Sequence, residues 1–233
     1  MKNKLLSLLM AVLMLVNMLI MTGAVKKSSD TLTADISSGN IPIKMLSNDL
    51  AQITYSDEKG TLHSNAEFKP QDTGIKIVQS KSKQGYSVSV DANKQNEASE
   101  ISIEIVKVNI KASTAFSLKN GARVSLYLSG KNSIESTNSE SAGIQVPAGN
   151  KLTIYGSAGQ NGFVKIRSGK NGAGIGGPNK TSAGQIVLES GSTEIKQWEV
   201  NSDESIYSSN GAAIGGGCYA DGGDITINGG HHI

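Results

Sequence analysis

The stretch Gly172-Ala173-Gly174-Ile175-Gly176-Gly177 satisfies the spacing G-x-G-x-x-G, the pattern in which glycines bring backbone N–H groups and a helix N-terminus against a pyrophosphate. That chemistry needs a strand before the glycines and a helix opening at their end. Here Pro178-Asn179-Lys180-Thr181 and then Gly184 form a turn instead. The stretch also recurs: Asn171 to Gly177 returns as Asn210-Gly211-Ala212-Ala213-Ile214-Gly215-Gly216, 39 positions later, with Ala213 in place of the middle glycine. Glycines serving positive φ and close stacking of backbone fit both copies, whereas a nucleotide site fits neither.

Ionisable side chains offer little to a catalyst. Asp203 and Glu204 share one loop and Asp221 and Asp224 another, but neither set falls in the Asp-x-Asp-x-Asp-Gly spacing of a calcium loop. Solvated loop charge accounts for them, and no cofactor is expected. His231 and His232 are neighbours whose rings would point to opposite faces of a strand, which disfavours a shared metal. With His63 as the remaining histidine, no Ser-His-Asp arrangement can be assembled. Lys165 and Arg167 form an isolated basic pair on a short strand. Cys218 is the one cysteine, cannot close an intramolecular disulfide, and reads as a small packing residue.

The chain has one Trp, six Tyr and three Phe, so the positions of its rings are informative, because planar rings can stack on the apolar faces of sugars. Trp198, Tyr207 and Tyr219 lie within or between the repeated units and are the ligand-binding candidates. The alternative for each is the edge or cap packing of a single amphipathic ring.

The elements that must position these residues are short strands. Ile75 to Val78, Tyr86 to Val90, Ile101 to Ile105, Arg123 to Leu128, Leu152 to Ile154, Val164 to Ile166, Ile186 to Leu188 and Ile225 to Ile227 are apolar or alternating runs separated by Gly-rich or polar turns. The alternation steps out of phase at Val106 and continues to Ile110, which predicts a bulge or corner. After residue 24 no apolar pattern holds a helical period over three turns. Gly184 to Leu188 lies opposite Gly223 to Ile227 at the same offset of 39, so loop and strand repeat as one unit. A fixed period of this kind argues for stacked copies, and the expected fold is all-β, a right-handed parallel β-helix with two coils of about twenty residues per repeat. Gly172, Gly174, Gly176, Gly177, Gly211, Gly215 and Gly216 would let the coils approach, and Ile144, Ile175 and Ile214 would stack beneath them.

Residues 1–24 read as a secretory signal, with Lys2 and Lys4 before the apolar run Leu5 to Met21 and small residues at Thr22-Gly23-Ala24. The protein is therefore expected outside the cell or at its surface, with membrane contact only during export. Residues 25–73 are polar and read as a leader or N-terminal cap, and residues 74–233 as the β-helix domain. Removing Lys2 and Lys4 leaves 20 of the 22 basic residues against 20 acidic ones. That balance, without a basic patch or Arg forks, excludes nucleic acid as an expected partner.

The order Ala115-Phe116 to Ser129-Gly130-Lys131-Asn132, then Ala142 to Pro147, then the two Gly-rich loops and Ile225-Thr226-Ile227-Asn228-Gly229-Gly230, resembles secreted Gly-rich right-handed β-helix proteins of Gram-positive bacteria. The resemblance covers about residues 75 to 233. It implies a carbohydrate-binding or adhesin-like surface protein, non-catalytic, with a polysaccharide or cell-surface partner. Two other functions stay open on the same scaffold: a polysaccharide lyase or hydrolase, and a purely structural repeat within a larger surface protein. Hydrolases of that fold gather several Asp near a Gly-His-Gly, which this sequence does not contain. The chain stops at Ile233, shortly past Gly230, where a β-helix would present unpaired backbone groups. The expectation is an incomplete unit, or one that self-associates at that end.

Overall fold

Ile101-Ser102-Ile103-Glu104-Ile105 alternates strictly, and each isoleucine is buried while the residues between them reach the surface. This period-two rule recurs through a computed structural model that describes residues 30–94, 98–157, 162–196 and 209–233. The chain begins with β1 (Asp30–Asp35), β2 (Ile41–Met45), β3 (Ala51–Ser56), β4 (Leu62–Phe68), β5 (Thr73–Val78) and β6 (Val88–Asp91). A regular succession follows: β7 (Ile101–Val106), β8 (Asn109–Ala112), β9 (Phe116–Lys119), then β10 (Arg123–Ser129), β11 (Lys131–Ser136), β12 (Ile144–Gln145). It continues with β13 (Lys151–Gly156), β14 (Phe163–Arg167), β15 (Ile175–Gly176), β16 (Gln185–Leu188), β17 (Ser192–Lys196), β18 (Ile214–Gly215), β19 (Asp224–Ile227) and β20 (His231–His232).

These strands form three sheets among the described residues: a seven-stranded sheet ordered β1-β5-β7-β10-β13-β16-β19, a five-stranded sheet β20-β17-β14-β11-β8, and an eight-stranded sheet β18-β15-β12-β9-β6-β2-β3-β4. From β7 onward the chain visits the seven-, five- and eight-stranded sheets in turn and then begins again one strand further along each. Every pairing between these named strands is parallel except β2 with β3 and β3 with β4, which are antiparallel. The protein is thus all-β and built on parallel sheets. The step out of phase after Ile105 is a corner: β7 ends at Val106, Lys107 has φ +51°, and β8 starts at Asn109 in a different sheet.

The repeated unit of the sequence contains one visit to each sheet rather than two shorter coils. Ile175 pairs with Ile214, Gln185 with Asp224 and Ser192 with His231, all at the offset of the sequence repeat, and each pair joins adjacent strands of one sheet. Earlier circuits are shorter, since the one that leaves Ile101 has already returned to its register partner at Val124. The described strands do not lengthen, β7 having six residues and β16 four, β9 four and β15 two; the additional length lies between them, where it is thermodynamically cheap.

The segment expected as a polar leader or cap carries β1 to β4 from residue 30 on. β1 pairs in parallel with β5 and β2 with β6, and Ala34, Ile36, Ile41, Ile43, Met45, Ala51 and Ile53 join the same apolar core as Ile103 and Leu126. Its apolar residues are few because only alternate positions of β2 and β3 face inward.

Candidate functional site

Four backbone donors of the first glycine loop, the groups a phosphate would need, are already engaged. Ala173 N–H donates to Gly177 O at 3.0 Å, Gly174 N–H to Ala212 O at 2.9 Å, Ile175 N–H to Ala213 O at 3.0 Å and Gly177 N–H to Gly215 O at 2.9 Å. The two copies are bonded to each other. Gly176 has φ +138° and a Cβ there would lie 1.9 Å from Gly215 O, while a Cβ on Gly174 would meet Ile195 Cγ2 at 2.4 Å. Ile144, Ile175 and Ile214 pair in register on β12, β15 and β18.

Of the aromatic candidates, Trp198 and Tyr207 lie outside the described residues, as do Asp203 and Glu204. Tyr219 sits at the tip of the second glycine loop with φ +59° and is 91 % exposed. It follows the buried free thiol of Cys218. Lys180, at the equivalent position of the first loop, takes the same backbone conformation, φ +57°. The structure does bring two other rings together: Tyr127 and Tyr155, register partners on β10 and β13, stack with centroids 5.0 Å apart and planes 14° from parallel. Each ring therefore covers one face of the other. Burial pushes both phenols above their ordinary pKa; for Tyr127 hydrogen bonding with Ser125 opposes this and Glu100 adds to it, and for Tyr155 the neighbouring Tyr127 adds to it.

His232 is committed to packing: its Nδ1 lies 2.8 Å from Thr193 Oγ1 and its Nε2 2.8 Å from Gly229 O. Near the first glycine loop, Glu140 accepts from Asn171 Nδ2 at 2.8 Å and from Asn179 and Ser139, and these bonds, Asn171's first, hold its carboxyl below the usual range. Asn210 Nδ2 in turn donates to Asn171 Oδ1 at 2.8 Å, continuing the polar row by one repeat. No three His, Cys, Asp or Glu among the described residues gather as a metal set.

A concave feature lies where the chain turns from the eight-stranded into the seven-stranded sheet. A groove of about 610 Å³ crosses successive circuits there, lined by Lys94, Asn120, Arg123, Lys151, Gln185 and Asp224 together with turn backbone. Arg123 pairs with Lys151, Lys151 with Gln185 and Gln185 with Asp224, so one outward position of β10, β13, β16 and β19 forms a column along the groove. Alternation fixes their outward aim, since Val124, Leu152 and Ile186 next to them are fully buried. The floor is set by Asn150, which is 4 % exposed. Its Oδ1 accepts from Gly121 and Ala122 N–H at 3.2 and 2.9 Å, and its Nδ2 donates to Pro147 O at 2.8 Å. Its polar atoms tie one turn to the next and leave the walls to the charged residues. None of Lys94, Arg123 or Lys151 forms an ion pair with a described residue.

Sequence reasoning did not find this column. The steps from Arg123 to Lys151, from Lys151 to Gln185 and from Gln185 to Asp224 are all of different length, so no single period aligns them. Asp224 was visible only as a loop carboxylate. The class of protein these features define is an all-β chain of parallel sheets with an outward polar groove. Comparison with protein-family models, curated proteins and solved structures finds no match to the chain.

Proposed function

We propose that this protein is a secreted, right-handed parallel β-helix that binds polysaccharide without cleaving it, along the groove beside the seven-stranded sheet. The solenoid reading rests on the cyclic order in which β7 to β20 visit the three sheets, with each circuit one strand beyond the last. Export rests on the signal-like residues 1–24.

The observation that carries the binding function is the groove itself, with a polar column repeated along the stacking direction. A surface that repeats from circuit to circuit suits a ligand that also repeats, and its amide, guanidinium, ammonium and carboxylate groups suit a hydroxyl-rich polymer. Binding is favoured over cleavage because Asp224 is the one carboxylate among the described residues that line the groove, whereas glycoside hydrolysis uses two facing each other across the bond. Purified protein incubated with a panel of soluble pectic and cellulosic polymers, with and without calcium, should retain intact polymer and release no reducing or unsaturated ends. New ends would make it an enzyme on the same scaffold, and retention of no polymer would reject the binding function.

A further inference from the structure

We infer that the groove takes an acidic polysaccharide, a polymer carrying carboxylates along its length, with those groups set against Lys94, Arg123 and Lys151. This rests on the polysaccharide-binding function proposed above and adds the charge class and direction of the polymer. Arg123 and Lys151 are direct register partners on β10 and β13, so their backbones are about 4.8 Å apart. Lys94 lines the same end, held by its N–H to Asn120 O at 3.1 Å, one turn before β10. Three cations therefore share one end of an open groove, and no described carboxylate neutralises any of them by direct contact. Such groups take a carboxylate from solution without first breaking an internal ion pair, and the guanidinium of Arg123 can do so through two parallel N–H bonds.

Two acidic residues stand near the groove, one at each end of it. Asp91 Oδ1 is engaged by Asn93 N–H at 2.7 Å and Asn120 Nδ2 at 2.9 Å. Asp224 stands at the far end of the column, beyond Lys151 and the neutral Gln185. A polymer lying in the groove is thus held by its acidic units at the Arg123 end and meets hydrogen-bonding, then repelling, groups toward Asp224. Nucleic acid could offer phosphates to the same cations. Single-strand channels, however, add aromatic rings on which bases stack, and no Phe, Tyr or Trp among the described residues lines this groove.

Affinity electrophoresis of the full chain tests the inference in gels containing polygalacturonate, carboxymethylcellulose, hydroxyethylcellulose, dextran sulfate or single-stranded DNA. The two cellulose derivatives share a backbone and differ in charge. Retardation is expected with polygalacturonate and carboxymethylcellulose and not with hydroxyethylcellulose. The double variant Arg123→Gln/Lys151→Gln should weaken it roughly tenfold and Gln185→Lys should strengthen it about threefold. Thermal unfolding of the double variant reports whether it is folded, and Gln185→Lys, a gain of binding, reads the groove independently of that. Equal retention by both cellulose derivatives, unchanged in the double variant, would overturn the acidic class while leaving polysaccharide binding intact. Retention by dextran sulfate alone would overturn the carboxylate assignment, and stronger retention by DNA would give the groove to nucleic acid. No retention by any polysaccharide would reject the underlying function and this inference with it.

Discussion

The three sheets are held together by different means in the middle of the stack and toward its last strands. Around β9 the stack is made of large side chains: Phe116 lies in register between Val88 and Ile144, and all three are fully buried. Around β15 and β18 it is made of backbone, with Gly176 against Gly215 and the paired strands only two residues long. Further on, Ile225 and Ile227 of β19 are 40 % and 56 % exposed although they continue the rows that bury Ile186 and Leu188. The first region gains its stability from apolar area removed from water, and the second from how closely two chains can approach. In the first, removing atoms should do the damage. In the second, adding one should.

The largest effect is expected at Phe116. Phe116→Ala would leave a cavity in a core whose neighbours on both sides are fully buried, at a cost of about 3–5 kcal/mol in denaturant unfolding. Ile227→Ala, truncating an exposed residue on the last strand of the seven-stranded sheet, should cost under about 1 kcal/mol. Similar losses at the two positions would break the contrast between the two regions.

The next effect separates conformation from space. Gly176 and Gly215 have nearly the same φ, +138° and +136°, but a Cβ on Gly176 would strike Gly215 O at 1.9 Å, whereas a Cβ on Gly215 would meet its nearest atoms at 3.4 Å. Gly215→Ala should therefore cost about 1–2 kcal/mol, the strain of the backbone alone. Gly176→Ala should cost roughly 3 kcal/mol, because the facing backbone must also move. Equal costs in paired thermal melts would show that φ, not stacking distance, selects glycine in these loops.

Much of this was legible in the amino-acid order. The alternating apolar runs mark β7, β8, β10, β13, β14, β16 and β19, and the phase slip at Val106 marks the corner before β8. What escaped was every strand whose inward positions are polar or few. β11 turns Asn132 and Ser136 inward beside Ile134, and β17 turns Thr193 inward beside Ile195. These groups are tolerable inside because neighbouring circuits satisfy them: Asn132 Oδ1 accepts from Val108 N–H at 3.0 Å and Ser136 Oγ from Ala115 N–H at 3.0 Å. A hydrophobic pattern cannot register a partner that lies a circuit away. The groove was hidden for a related reason, since circuits of unequal length bring Arg123 and Lys151 together without any repeat that includes both.

The smallest effect is expected at Tyr219, and it bears on where binding occurs. Its side chain is 91 % exposed, so its removal forfeits almost no buried area, and its φ of +59° is a conformation glycine adopts freely. Tyr219→Gly exchanges a little backbone strain for a more flexible unfolded chain, and these nearly cancel, leaving unfolding within about 0.5 kcal/mol of the parent. The variant is therefore a clean probe: folded and altered at a loop tip that does not line the groove. If polysaccharide is held by the column of Arg123, Lys151, Gln185 and Asp224, Tyr219→Gly should retain every polymer as well as the parent, while Arg123→Gln/Lys151→Gln does not. A loss of retention in Tyr219→Gly, measured in the same gels, would move the contact surface from the groove to the glycine-loop tips, where Lys180 occupies the equivalent position one repeat earlier.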